Sequence, residues 1–181
     1  MSKVYLIKIP LSKLHSSCRF FITLKQSVII MQNQDLQIVP VQQQDYSQWE
    51  KYWLAYQNFY QVNLPLHVTK VTWERFFDEN EPVYCAVAKQ GEQVLGIVHY
   101  VIHRSTWAKN NYCYLEDLYV SPEVRGQHIG KQLIEYVQKQ AIEHNCDRLY
   151  WHTQETNVTA QKLYDWIAQK PGIIEYRMPL N

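Results

Sequence analysis

Three apolar, β-rich runs follow one another in the middle of the chain: VYCAVAK at 83–89, VLGIVHYVIH at 94–103 and YCYLEDLYV at 112–120. The first two are joined by the turn QGEQ, whose Gly91 can take a positive φ. A connection this short reverses the chain, because a parallel crossover needs a dozen or more residues. The pattern then changes. Ile129, Leu133, Val137 and Ala141 fall at i+4 steps and predict a helix over 129–144. RLYWHT (148–153) predicts a strand, NVTAQKLYDWIAQ (157–169) a helix ended by Pro171-Gly172, and GIIEYRM (172–178) a last strand.

Upstream, LQIV at 36–39 predicts a short strand ended by Pro40. Asp45 is positioned to cap a helix in which Trp49, Trp53, Tyr56 and Tyr60 share one face. That aromatic stripe is either core packing or the wall of a substrate cleft. After NLPLHV, Thr69 or Thr72 is expected to cap a second helix running to about Asp78. Antiparallel strands followed by β-α-β give an α/β architecture, a mixed sheet with helices on its faces.

Composition removes several function classes. Lys and Arg number 18 against 17 Asp and Glu, so there is no simple electrostatic case for a nucleic-acid partner. The neutrality joins two unlike pieces, however. Residues 1–30 hold five basic residues and no acidic one, while the remainder carries a net charge of −4. Residues 1–30 read as a basic extension, as a targeting segment, or as sequence upstream of a natural start at Met31, with the domain over 31–181. The apolar run FFITLKQSVII is broken by Lys25 and is too short to span a bilayer. Cys18, Cys85, Cys113 and Cys146 form no C-x-x-C pair, and they read as free thiols in a reducing cytoplasm. His99 and His103 share a strand face, but no third ligand is evident, so no metal is expected.

Glycine is scarce, with 5 in the chain where average usage gives about 13. Two of the five, Gly126 and Gly130, lie in the turn between the strand ending at Ser121-Pro122 and the following helix. Such a turn directs successive backbone N–H groups from the positive end of a helix and binds phosphate through them. Arg125 and Lys131 add charge at its rim. It is not a P-loop, because only three residues separate the glycines and Gln132 follows Lys131. A G-x-G-x-x-G fingerprint is also absent.

The segment YCYLEDLYVSPEVRGQHIGK resembles motif A of the GNAT superfamily of N-acetyltransferases, whose pyrophosphate loop is [QR]-x-x-G-x-[GA]. Here that loop is Arg125-Gly126-Gln127-His128-Ile129-Gly130. LEDLYV resembles the family's splayed central strand, and Asn157, Ala160 and Tyr164 match its N-x-x-A-x-x-x-Y helix. The resemblance implies the GNAT fold and transfer of the acetyl group of acetyl-CoA to an amine in a ternary complex. It implies Glu116 as base and Tyr164 as the donor to the leaving thiolate. It further implies that Leu118, Tyr119, Val120, Arg125, Gly126, Gln127, His128, Ile129, Gly130, Lys131 and Asn157 hold the cofactor. By strand alternation Glu116 shares a face with Leu118 and Val120, and Asp117 shares one with Tyr119. One loop position departs from the family, with His128 standing where a glycine is usual. A positive φ there carries a steric cost of about 1–2 kcal/mol, whereas a helical conformation carries little.

HRSTW at 103–107 followed by YLEDLYV resembles the polyamine and histone/polyamine acetyltransferase branch. The acidic domain suits a cationic acceptor, either a small polyamine-like amine or a lysine on a basic protein tail. The resemblance also implies a homodimer with the C-terminal strand near the interface. Two other classes stay open from the sequence: a non-catalytic acyl-CoA sensor, and an interaction protein using the aromatic helix face.

Overall fold

The computed structural model describes residues 35–180. The segment 1–30 and the Met31 start lie outside the described residues.

Strand β1 (Leu36–Pro40) leads through a short 3-10 turn into helix α1 (Tyr46–Phe59) and then α2 (Leu66–Arg75). Strands β2 (Val83–Gln90), β3 (Gln93–Arg104) and β4 (Asn111–Val120) follow, then α3 (Ile129–Glu143), β5 (Arg148–Tyr150) and α4 (Val158–Ile167). The five strands form one sheet in the order β1-β2-β3-β4-β5. The first three pairings are antiparallel and β4–β5 is parallel. This is the mixed α/β sheet expected from the pattern of runs. Gly91 takes φ 62° in the β2–β3 turn.

Each face of the sheet has its own core. On one side Trp49, Tyr52 and Trp53 of α1 and Trp73 of α2 pack against Cys85, Val87, Val94 and Ile97. On the other, Ile129, Leu133, Ile134, Val137 and Ala141 of α3 pack against Ala86, Ala88, Val98, Tyr100, Cys113 and Leu115. All of these α3 residues but Ile134 belong to the i+4 set that predicted the helix. Trp49 is the hub of the first core, fully buried and in ring contact with Tyr46, Trp53, Trp73 and Phe76. The aromatic stripe therefore divides: Trp49 and Trp53 are core, whereas Tyr56 and Tyr60 reach a cleft described below.

Four local expectations are corrected. Asp45 does not cap α1 with its side chain. Its carboxylate instead accepts from the Gln42 backbone N–H at 3.0 Å and pairs with Lys89 Nζ at 2.6 Å, both side chains being nearly buried. The buried ammonium on β2 outcompetes a helix N–H for that oxygen. Helix α2 starts at Leu66, directly after Pro65, and Thr69 lies buried within it. Strand β5 ends at Tyr150 instead of Thr153. The last strand over 172–178 does not form within the chain. Ile173, Ile174, Tyr176, Met178 and Leu180 are exposed, because the segment has pattern without a paired neighbour.

A position that sequence pattern passed over is Gly96 on β3, opposite Val120. A Cβ there would stand 2.8 Å from the Tyr119 carbonyl oxygen, a backbone atom that cannot step aside. Gly96→Ala is expected to destabilise the fold by about 1–3 kcal/mol, the range for overpacking a tight site. Urea unfolding followed by tryptophan fluorescence measures it.

Candidate active site

Strand β4 pairs with β3 from Asn111 to Val120 but with β5 only over Tyr112–Tyr114. Beyond Tyr114 the two parallel strands part, and the gap opens into a cleft of about 620 Å³. Its walls are the second half of β4, the 125–131 turn, Trp151 to Thr156, α4, and the end of α1. Glu116, Leu118, Tyr119, Val120, Arg125, Gly126, His128, Ile129, Gly130, Lys131, Asn157 and Tyr164 all line it. Gln127 is exposed and is not among the lining residues.

The turn has the geometry of an anion cradle. Gly126 takes φ 80°, and His128 is left-handed at φ 60°, ψ 14°. The helical alternative for His128 is thereby excluded, and this side chain carries the left-handed cost. Among the described residues, no backbone N–H from Gly126 to Lys131 has an acceptor. The next N–H, of Gln132, donates to the His128 carbonyl at 3.1 Å. Orphan N–H groups at the first turn of a 15-residue helix carry its positive end. Lys131 beside them pairs with Glu135 and lies 5.5 Å from the Trp166 ring centroid. Gly130 sits in ordinary contact range of Leu163, Leu118 and Val120, so a side chain there would fill the floor of the cleft.

Glu116 departs from simple alternation. The β3–β4 register passes from His99↔Asp117 to Tyr100↔Leu115 and leaves Glu116 without a partner. This is a β-bulge, which inserts one residue and re-aims its side chain. Leu115 and Leu118, three apart, consequently pack on the same α3 core, and Glu116 turns into the cleft between them. Its carboxyl is raised above the usual range, first by loss of solvent and then by the neighbouring Asp117 charge. Asp117 and Tyr119 do share the opposite face: Asp117 meets His99, and Tyr119 packs on Tyr52.

Tyr164 extends from α4 and packs edge-on to Trp151 at 5.4 Å. Burial, reinforced by Tyr60, pushes its phenol up to about 12, so it is protonated at neutral pH. Asn157 is both the N-cap of α4, accepting from the Ala160 N–H at 3.4 Å, and a cleft residue. The two histidines of β3 do not converge. His99 engages Trp49 and Asp117, while His103 engages Tyr150. Cys85 and Cys113 are buried, and burial raises both thiols, Cys113 to about 12.

The model of the Acetyltransferase (GNAT) family matches residues 42–166, and the chain belongs to that family. Its class is that of the acetyl-CoA-dependent N-acetyltransferases. It is 32% identical over 149 residues to the D-amino-acid N-acetyltransferase HPA3 of Saccharomyces cerevisiae, covering 81% of this chain and 92% of that protein. It is 38% identical over 96 residues to the thialysine N-epsilon-acetyltransferase of Bos taurus, covering 49% of this chain and 56% of that protein. Among solved structures, the aminoglycoside N-acetyltransferase AAC(6')-Iy in complex with CoA shares the fold at TM-score 0.70. It is 17% identical, with 82% of this chain and 97% of that one aligned.

The left-handed His128 gives a direct test of the loop. His128→Gly removes a cost of about 1–2 kcal/mol and adds about 0.5–1 kcal/mol of backbone entropy. The variant is expected to be more stable by about 0.5–1 kcal/mol, read as a rise in thermal midpoint. His128→Val is expected to lower it, because a branched Cβ is disfavoured further at positive φ.

Proposed function

We propose that this chain acetylates the primary amine of a small, cationic acceptor, with lysine side chains on basic tails as the larger substrates of the same chemistry. The observation that carries this reading is the bulge at Glu116. It sets a carboxylate with a raised pKa in the same cleft as the orphan N–H cradle and a protonated tyrosine. The names of the relatives support it, since D-amino acids and thialysine both carry an amine.

The roles follow from position. The N–H groups of 126–131, with Arg125 and Lys131, would hold the pyrophosphate of the cofactor. Asn157 and the backbone of Leu118 to Val120 would hold its pantetheine arm along the parted strand. Gln127 would contribute through its backbone, its side chain being turned away from the cleft. Glu116 takes a proton from the incoming ammonium, directly or through water, so that the neutral amine can attack the thioester carbonyl. Tyr164 returns a proton to the departing sulfur.

The C-terminal segment supports a homodimer. Residues 173–180 present apolar side chains to solvent beside a sheet edge, at β5, that carries only three paired residues. A second copy is the natural cover for such an edge. Cys85, Cys113 and Cys146 are free thiols, the state that a reducing cytoplasm maintains. No helix among the described residues is long and apolar enough to cross a membrane.

Release of free thiol from acetyl-CoA across polyamines, small primary amines, aminoglycosides and lysine peptides tests the reading. It is run with protein started at Met1 and at Met31. Background release with every amine would end it. Glu116→Gln is expected to lower kcat by about 10²–10⁴-fold, the range for general-base loss, with acetyl-CoA affinity unchanged by calorimetry. Tyr164→Phe is expected to lower kcat less, also without loss of affinity. The base works deprotonated, so kcat/KM falls as pH drops through the Glu116 pKa. Because that pKa is raised, the fall begins at a higher pH than an ordinary glutamate would give, and Glu116→Gln abolishes this limb.

A further inference from the structure

Behind Glu116, on the α1 side of the sheet, three polar side chains form a chain through an otherwise aromatic core. Trp49 Nε1 donates to His99 Nε2 at 2.8 Å, and His99 Nδ1 stands 2.9 Å from Asp117 Oδ2. The His99 side chain is 3% exposed and that of Asp117 15%. The imidazole is enclosed by Trp53 and Phe76, with ring centroids at 5.2 and 4.9 Å. An indole nitrogen only donates. His99 Nε2 must therefore accept, its proton lies on Nδ1, and that proton is donated to the Asp117 carboxylate. The ring is the neutral Nδ1–H tautomer, fixed by Trp49. The catalytic reading proposed above makes no use of this arrangement.

We propose that His99 is a positioning residue, oriented by Trp49, which fixes the Asp117 carboxylate and through it the bulged backbone that aims Glu116 at the amine. Asp117 is the residue directly after Glu116 and the first paired residue beyond the bulge, opposite His99. A bulge is held only by the pairs on either side of it, because the extra residue has no ladder bond of its own. The His99–Asp117 hydrogen bond is a side-chain clamp at that flanking pair. Tyr56 of α1, whose phenol is raised first by burial and then by the Asp117 charge, also lines the cleft. The clamp thus joins the core, the base and the cleft wall. A neutral donor suits the task. It satisfies one carboxylate oxygen without cancelling the negative charge that faces a cationic acceptor.

The proposal rests on Glu116 as base, and the test separates the two. Long-range nitrogen–proton correlation on the wild-type protein at pH 7 is expected to show His99 protonated at Nδ1 and bare at Nε2. Trp49→Phe is expected to lose that preference and give a mixture of tautomers. In the thiol-release assay His99→Leu is expected to lower kcat about 10- to 100-fold, the scale of a misplaced reacting group. Acetyl-CoA affinity should stay within about twofold, because the clamp lies away from the 126–131 cradle. His99→Asn places an amide N–H at the depth of Nδ1 and should recover kcat to within about threefold. His99→Gln places its amide at the depth of Nε2 and should not, which keeps the test in hand if the leucine variant fails to fold. A protonated Nε2 in the wild type, equal impairment of the asparagine and glutamine variants, or an unchanged kcat in both would overturn the proposal. If the wild type acetylates no amine, the base assignment fails, whereas the tautomer spectrum still decides whether Trp49 fixes His99.

Discussion

Strand β4 is paired on one side from Asn111 to Val120, with only the bulged Glu116 skipped, and on the other along only three residues. Most of what matters in this molecule follows from that asymmetry. In a closed sheet the backbone groups of Leu115 to Val120 would be satisfied by a neighbour and the strand would be interior. With β5 turned away they face a cleft instead, and a ligand's amides can take the place of a strand. The same divergence lets α4 pack over the gap, so that Tyr164, Asn157 and the first turn of α3 converge on one volume.

The two faces of the sheet are packed unequally. On the α3 side, the helix is anchored by residues at regular spacing, and its first turn is fixed against β4 through Ile129. The loop before it takes two positive-φ positions, Gly126 and His128. On the α1 side, the aromatic core around Trp49 is dense, yet it admits a polar thread through His99 to Asp117. Buried polar groups of this kind are costly unless each finds a partner, so a fully bonded thread in an aromatic core points to a use beyond stability.

Much of this was legible in the residues. The order of β-rich and helical runs, the short β2–β3 turn and the apolar face of α3 were readable because they are local and periodic. The 125–130 loop was readable because its chemistry belongs to the backbone and its glycines mark it. The aromatic stripe was readable as an inward face, but not how it divides between core and cleft. Other features were not readable. The bulge at Glu116 shows on paper only as a change of phase, from Cys113 and Leu115 to Leu118 and Val120, and simple alternation carried through Glu116 and Asp117 misses it. The refusal of a side chain at Gly96 depends on a carbonyl in another strand. The capture of Asp45 by Lys89 sets a residue with every local mark of a helix cap to another task, 44 positions away. The final strand carried the right pattern, but a strand also needs an edge to join.

The sequence by itself determined the class of fold, the position of the glycine-marked turn before α3, and where Glu116, Tyr164 and the capping Asn157 fall along the chain. Those are properties of short segments, set by periodicity, turn chemistry and residue type. The tertiary structure alone decided that Glu116 faces the cleft and that His128 is left-handed. It also set His99 between Trp49 and Asp117, and it left the C-terminal segment without a paired strand among the described residues. Each of these depends on atoms brought together from distant parts of the chain, where hydrogen-bond register and packing, and no local preference, choose the outcome.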